Sequence, residues 1–443
     1  MITVSAKLDK GEHYAVRDGL MVADTGNASA DIFNGLTDND DIFKKSISCG
    51  YVDHHVIDGL PAMVGKEPKC STQMVADYSD EVLKYIKEHN VKEIYIHNGT
   101  DLDALCSGWL MKYLGENDKL PLIAKEMAPI VTKVDYARYR KTPDKYAYSF
   151  PGVMRATMGF IKTEKCRKLS SIPEYVGADN KRLNKLGLIQ ADNEVNNEMF
   201  AVLNALEQEK QNNPQFSLED INFYEFIKNN QTISSYVKAH AQKGVEVSLR
   251  NQKQFEEMKD KAEIYEFKYQ NPQTKKIETG KIMVMEATIS PLMTTNIAYN
   301  YYTDRIIAAY SPKSQRYPAS YAIGIAVESL DKIRPVMKQI CIKLNHIEEE
   351  RRAQLYNKID KNEEDKAMLA QIEQAQSEQA FFNADKLGLI DKLPALLRGG
   401  DTLIVPASNF MMIKDTDDFK MIMKDFAAKT QSLSNQKFKG KEK

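Results

Sequence analysis

Several things are missing from this 443-residue chain, and each absence narrows what it can be. Its five cysteines, Cys49, Cys70, Cys106, Cys166 and Cys341, never fall at CxxC spacing. An odd, dispersed set argues for reduced thiols and against a disulfide frame or a structural zinc ribbon. No apolar run approaches the roughly 20 residues that span a bilayer. The opening MITVSAKLDKGEHYAVRDG lacks the apolar core of a signal peptide. The expectation is a cytoplasmic protein with no membrane partner. Charge of one sign is missing too, with 61 basic against 62 acidic residues and a net charge of −1. That balance excludes a broad basic face for long duplexes, though not local basic patches.

What is present is ordinary in bulk and unusual in two places. A hydrophobic share of 42% with 28% charged residues suits a soluble globular chain, and the length suits two or three domains. Of seven histidines, three sit in the strings DHH (53–55) and HNGTDLD (97–103), beside carboxylates. Imidazole with carboxylate suits borderline divalent metals such as Mn²⁺, Fe²⁺ or Zn²⁺. Several carboxylates together suggest more than one ion, and paired ions are a recurrent device for attacking phosphorus.

The first 165 residues predict an α/β domain. LMVADTG (20–26), CGYVDHH (49–55) and VKEIYIHNGTD (91–101) are short apolar runs ending in polar residues, with helical spacing between and after them. Such alternation favours a doubly wound parallel sheet, whose ligand site lies at the carboxyl ends of the strands. Residues 166–265 look like a polar helical connector. Residues 266–430 predict a smaller α/β domain, with strands in KIMVMEA, RIIAAYS, YAIGIAVES and the run at 398–413. A charged helical insert at 330–395 is expected to be a solvated excursion, with a coiled-coil arm as the sharper alternative. Residues 431–443 look like a disordered basic tail.

At the strand ends the candidate ligands sort into two ion positions. His97 and Asp101 would hold one ion, with Asp103 facing a second. Asp24 would bridge, and His54 and Asp135 would complete the second. His55 would be left to face a substrate phosphate, and Asp53 to orient a histidine. The plainer alternative is that Asp101 and Asp103 merely cap the following helix.

With these residues in place, the chain resembles the DHH phosphoesterase superfamily, closest to its oligoribonuclease or nano-RNase branch, with a DHHA1-like C-terminal domain. His97, Asp101 and Asp103 match the family's motif I, Asp24 motif II, Asp53-His54-His55 motif III and Asp135 motif IV. The order is II, III, I, IV where the family begins with I, which implies a circular permutation, tolerable where domain termini lie close together. The alternative is a decayed motif I around His13 and Asp18.

The resemblance implies a cleft in which the second domain holds the far end of the substrate. The family's glycine-rich loop is matched by Arg398-Gly399-Gly400, but Asp401 stands where the family has histidine. Arg316 is a second candidate for a phosphate; Tyr317 and Tyr321 could stack a base, with buried packing the expected role for either. The implied activity is a phosphodiesterase with two Mn²⁺ ions (Mg²⁺ or Co²⁺ as alternatives) acting on short single-stranded nucleic acid or dinucleotides. A RecJ-like single-strand exonuclease, a pyrophosphatase and an inactive DHH-fold interaction module remain alternatives, and a homo-oligomer is left open.

Overall fold

A computed structural model describes residues 1–8, 16–26, 28–63, 66–177, 183–312, 319–326, 329–363, 365–366, 369–370, 395–398, 403–406, 413 and 415–439. The chain divides into two compact units, Met1–Leu249 and Arg250–Lys443.

In the first unit the elements run β1 (Thr3–Leu8), β2 (Leu20–Ala23), α1 (Asn39–Ser48), β3 (Tyr51–Val52), α2 (Ser71–Asp77), α3 (Ser79–Glu88), β4 (Glu93–His97), α4 (Leu102–Asn117), α5 (Ala124–Asp135), α6 (Pro143–Tyr148), α7 (Phe150–Leu169), α8 (Lys185–Asn212), α9 (Phe223–Asn229) and α10 (Ser235–Lys259). The four strands form one parallel sheet in the order β1-β4-β2-β3. Strand β4 therefore comes last in the chain and sits inside the sheet.

Side chains alternate across this sheet as strand geometry requires. Met21, Ala23, Ile94 and Ile96 enter the large core shared with the helices, while Leu20, Val22 and Tyr95 form a small cluster on the other face. Helix α4 is buried nearly all round, from Leu102 through Leu114. It lies so near β1 that a Cβ on Gly108 would stand 2.9 Å from Val4. The outer edge of β1 is closed by Asn193, whose Oδ1 accepts the Ala6 N–H at 2.7 Å.

The second unit contains β5 (Glu263–Gln270), β6 (Ile277–Glu286), α11 (Pro291–Ala298), β7 (Ile306–Ser311), β8 (Ser320–Gly324), α12 (Leu330–Asn357), β9 (Ala395–Arg398), β10 (Leu403–Pro406) and α13 (Thr416–Lys439). Its six-stranded sheet runs β5-β6-β7-β8-β10-β9 and is mixed, with β6 and β7 parallel and the other pairs antiparallel. One face packs on α12 and α13 through Ile282, Val284, Tyr310, Tyr321 and Phe419. The other packs Met283, Met285, Ile307 and Ala309 on Phe255, Met258 and Ala298.

Three expectations about organisation change. The stretch read as a connector, 166–265, is mostly part of the first unit. Val195, Met199, Val202, Leu203 and Leu206 of α8, with Val237, Ala241 and Val245 of α10, sit in the first unit's core. Those apolar residues are spaced for burial, and a long polar face masked them. The insert at 330–395 begins as α12, a packed helix rather than a solvated excursion. Ile333, Val336, Met337, Ile340, Cys341, Leu344 and Ile347 recur every three or four residues and are buried. Most of 364–394 lies outside the described residues. The tail also departs from expectation, since the backbone of α13 stays helical to Lys439.

Candidate metal centre

The strand registers alone assemble the first part of the site. Val22 is level with Tyr95 of β4 and Ala23 with Val52 of β3. One or two residues further on, Asp24, Asp53 and His97 form a row across three neighbouring strands at their carboxyl ends. Asp24 leaves β2 with φ +51°, in the left-handed region that few residues other than glycine, Asn and Asp adopt. Asp53 holds that turn. Its Oδ2 accepts the N–H and hydroxyl of Thr25 at 2.9 and 3.1 Å and the N–H of Gly26. Its Oδ1 accepts the N–H and the ring Nδ1–H of His55 at 3.0 and 2.9 Å.

Two helices bring the remaining carboxylates. Asp101 caps α4 through Oδ1, which accepts from the N–H groups of Asp103 and Ala104 at 3.1 and 3.0 Å. Its Oδ2 turns to His97 Nε2 at 3.4 Å. The capping role and the ligand role are both present on one side chain. Asp103 does not cap its own helix. Its two oxygens accept the Ser71 and Thr72 N–H groups, each at 2.8 Å, at the start of α2. Asp135, expected after an apolar run, is the last residue of helix α5, because Ala124, Met127, Ala128 and Val131 bury one helical face.

All six predicted metal ligands converge, in company with His55. Asp24, His97 and Asp101 form one group, His54, Asp103 and Asp135 a second, and Asp24, His54 and His55 a third, each with donor atoms within 4.8 Å of one another. His54 Nε2 stands 3.5 Å from Asp24, 3.4 Å from Asp135 and 3.8 Å from Asp103. His97 Nε2 stands 3.3 Å from Asp24. Two ligands each about 2.1 Å from one ion are about 3.0 Å apart at a right angle and about 3.4 Å at the tetrahedral angle. The observed spacings suit a shared ion better than direct hydrogen bonds.

Four buried atoms have no hydrogen-bond partner and meet in this space: both oxygens of Asp24, Nε2 of His54 and Nε2 of His97. Buried polar groups are normally satisfied, so such a convergence asks for a cation. The donor set, three imidazole and carboxylate groupings with no thiolate, fits hard-to-borderline divalent ions.

The electrostatics agree. Burial would raise Asp24, yet His54 and His97 hold it well below the usual carboxylate range. Burial lifts Asp103, and the neighbouring Asp24 charge adds to it. Burial also lifts Asp135 far above its ordinary value, helped by Asp103. For His97 burial works downward, but the Asp101 and Asp24 carboxylates outweigh it and push the imidazole up to about 10. Asp53 would be raised by burial but is brought to about 2 by its bonds to His55.

Sequence reasoning missed the groups behind the ligands. Asp58 and Tyr136 both reach His54 Nδ1, at 2.9 and 2.7 Å, and the Tyr136 hydroxyl donates to Asp58 Oδ2 at 2.6 Å. With its proton on Nδ1, His54 keeps the Nε2 lone pair aimed at the cluster. The available signals were the i+4 spacing of His54 and Asp58 and the position of Tyr136 next to Asp135. For His97 the equivalent bond goes to the backbone, with Nδ1 2.7 Å from the Asn98 carbonyl.

The substrate candidates lie mostly elsewhere. Arg316, Tyr317, Gly399 and Gly400 fall outside the described residues, and Arg398 is described only as backbone of β9. Tyr321 is buried against Phe419, in the packing role expected for it. His13 also lies outside the described residues, while Asp18 is an exposed partner of His89. All five cysteines are free. No described helix is long and apolar enough to cross a membrane.

No family model, curated protein or solved structure is significantly similar to this chain.

Proposed function

We propose that the chain is a metal-dependent phosphodiesterase of the DHH type that hydrolyses short oligonucleotides or dinucleotides. The observation that carries this is the convergence of Asp24, His54 and His97, with four unpartnered atoms buried at the ends of three parallel strands. The sheet order supports the permuted motif order: β4 arrives late in the chain yet lies beside β2, so motif I stands next to motif II. A doubly wound DHH domain and a DHHA1-like second domain are part of this proposal.

His97 and Asp101 would hold one ion, His54, Asp103 and Asp135 the other, with Asp24 shared. Paired divalent ions supply a water acidified to near neutrality and neutralise charge building on phosphorus. The chain's own groups do the rest. Asp58 and Tyr136 keep His54 in the ligating tautomer. Asp53 fixes the Asp24 turn and the ring of His55 together. His55 side chain is 27% exposed, so it is the histidine that can meet a substrate. With Nδ1–H given to Asp53, its Nε2 side would be left to face a phosphoryl oxygen.

The test is hydrolysis of a 5′-labelled dinucleotide, a longer single strand and pyrophosphate, each with and without Mn²⁺. Mn²⁺-dependent cleavage favouring the dinucleotide is expected. Preference for the long strand would favour a RecJ-like exonuclease, and no cleavage of any substrate would sink the enzymatic proposal. Full activity in His97→Ala would remove the permuted motif I.

A further inference from the structure

Asp192 is 1% exposed, on helix α8, in the stretch that looked like a polar helical connector. A carboxylate is expensive to bury unless both oxygens find strong partners. Here they do. Oδ1 meets the Lys162 ammonium of α7 at 2.6 Å, and Oδ2 accepts the Gly99 N–H at 2.7 Å.

That N–H belongs to the Asn98–Gly99 peptide, the same unit whose carbonyl receives the His97 Nδ1–H at 2.7 Å. Its amide edge and its carbonyl edge are therefore both engaged, one by Asp192 and one by the imidazole. A peptide unit is planar, so fixing one edge fixes the other. The chain of contacts runs from Lys162 through Asp192 and one peptide plane to His97, whose Nε2 faces the cluster. Bonds in such a series polarise one another. Gly99 has φ +70°, and a Cβ there would meet nothing within 4 Å. Glycine is needed for the turn's conformation, not for space. One turn of α8 further on, the Asn196 side-chain amide lies 3.4 Å from the hydroxyl of Thr100 in the same turn.

We propose that Asp192 is a positioning residue for the His97–Asp101 ion, acting through the Asn98–Gly99 peptide to hold His97 in its ligating orientation. This rests on the metal-centre reading above. It makes a distinction that reading does not make: Asp192 serves one ion position and not the other. His54 has its own support in Asp58 and Tyr136, on different elements.

The probe is Mn²⁺ alone, titrated into full-length metal-free protein, wild type against Asp192→Asn and Asp192→Ala, with calorimetry to count sites. The wild type should bind two ions. In Asp192→Ala one of them should weaken on the order of a hundredfold and the other stay near wild type, as expected for loss of a group behind a metal ligand. Asp192→Asn keeps an oxygen for Gly99 and should lose about tenfold. A purely structural role would lower the melting temperature without separating the two ions. Wild-type affinity for both ions in both variants would overturn the proposal. If wild-type protein binds no Mn²⁺, the metal reading itself fails. The Asp192–Gly99 link is then judged on metal-free protein, where rapid exchange of the Gly99 amide in Asp192→Ala supports it and unchanged protection overturns it.

Discussion

The two units bury polar groups in opposite ways. In the first, a four-stranded parallel sheet collects Asp24, Asp53, His54, His97 and Asp103 at one end, all under 5% exposed. In the second, a six-stranded mixed sheet is covered on both faces, and its centre is the aromatic stack of Tyr310, Phe419 and Tyr321. Its described residues form no comparable group of histidines and carboxylates. The difference follows from sheet type. In a parallel sheet all strands end on the same side, so short polar segments after each strand are brought to one place. A mixed sheet divides its strand ends between two sides. The described Asp/His cluster therefore lies in the first unit, where burial of like charges costs stability unless a cation or protons offset it.

The sharpest way to break this contrast is at Asp24, which, like His54, belongs to two of the ligand groups. Asp24→Ala should abolish binding of at least one Mn²⁺ and lower hydrolysis by about three orders of magnitude or more. Near-normal activity would mean the cluster is not the reaction centre. The complementary change belongs to the second unit. Phe419 is fully buried, and Phe419→Ala should cost about 3–5 kcal/mol by chemical denaturation. Mn²⁺ stoichiometry should stay at two. A loss of metal in that variant would show that the units do not divide stability and chemistry as described.

Protonation separates them further. In metal-free protein the folded His97 sits at about 10, above its ordinary 6.5, because carboxylates outweigh burial. Its contribution to stability is fully present below about pH 6.5 and is lost as pH rises to about 10. The metal-free melting temperature should therefore fall across that window. Mn²⁺ must displace the same proton, so its affinity should rise over the same window, with protons released on binding. Calorimetry in two buffers of different ionisation enthalpy measures that release, and none at pH 7 would contradict it. The smallest expected effect is at Tyr136→Phe, which keeps the ring and removes the hydroxyl's contacts with both His54 and Asp58. About tenfold weaker binding of a single ion is predicted, and equal loss at both positions would blur the separation of the two histidines.

Much of this was legible because apolar runs ending in Asp, Asp-His-His and His-x-x-x-Asp-x-Asp announce strand ends. The parallel α/β class followed from the same alternation. What was not legible is lateral. Nothing in the chain order says that β4 inserts between β1 and β2, so the row of Asp24, Asp53 and His97 appears only with the register. Asp135 was legible only as the end of an apolar run, and that run is a helix, since IVTKVD is apolar at either period. Asp192 was invisible because IQADNEVNNEMF reads as a solvated helix face. Its burial depends on α7 and the Gly99 turn, which are distant in sequence.

The most direct measurement is a crystal structure of the Mn²⁺-soaked protein with anomalous scattering at the manganese edge. Two peaks are predicted, one bounded by Asp24, His97 and Asp101 and the other by His54, Asp103 and Asp135. An empty cluster, with Mn²⁺ present at saturating concentration and both histidines intact, would contradict the account.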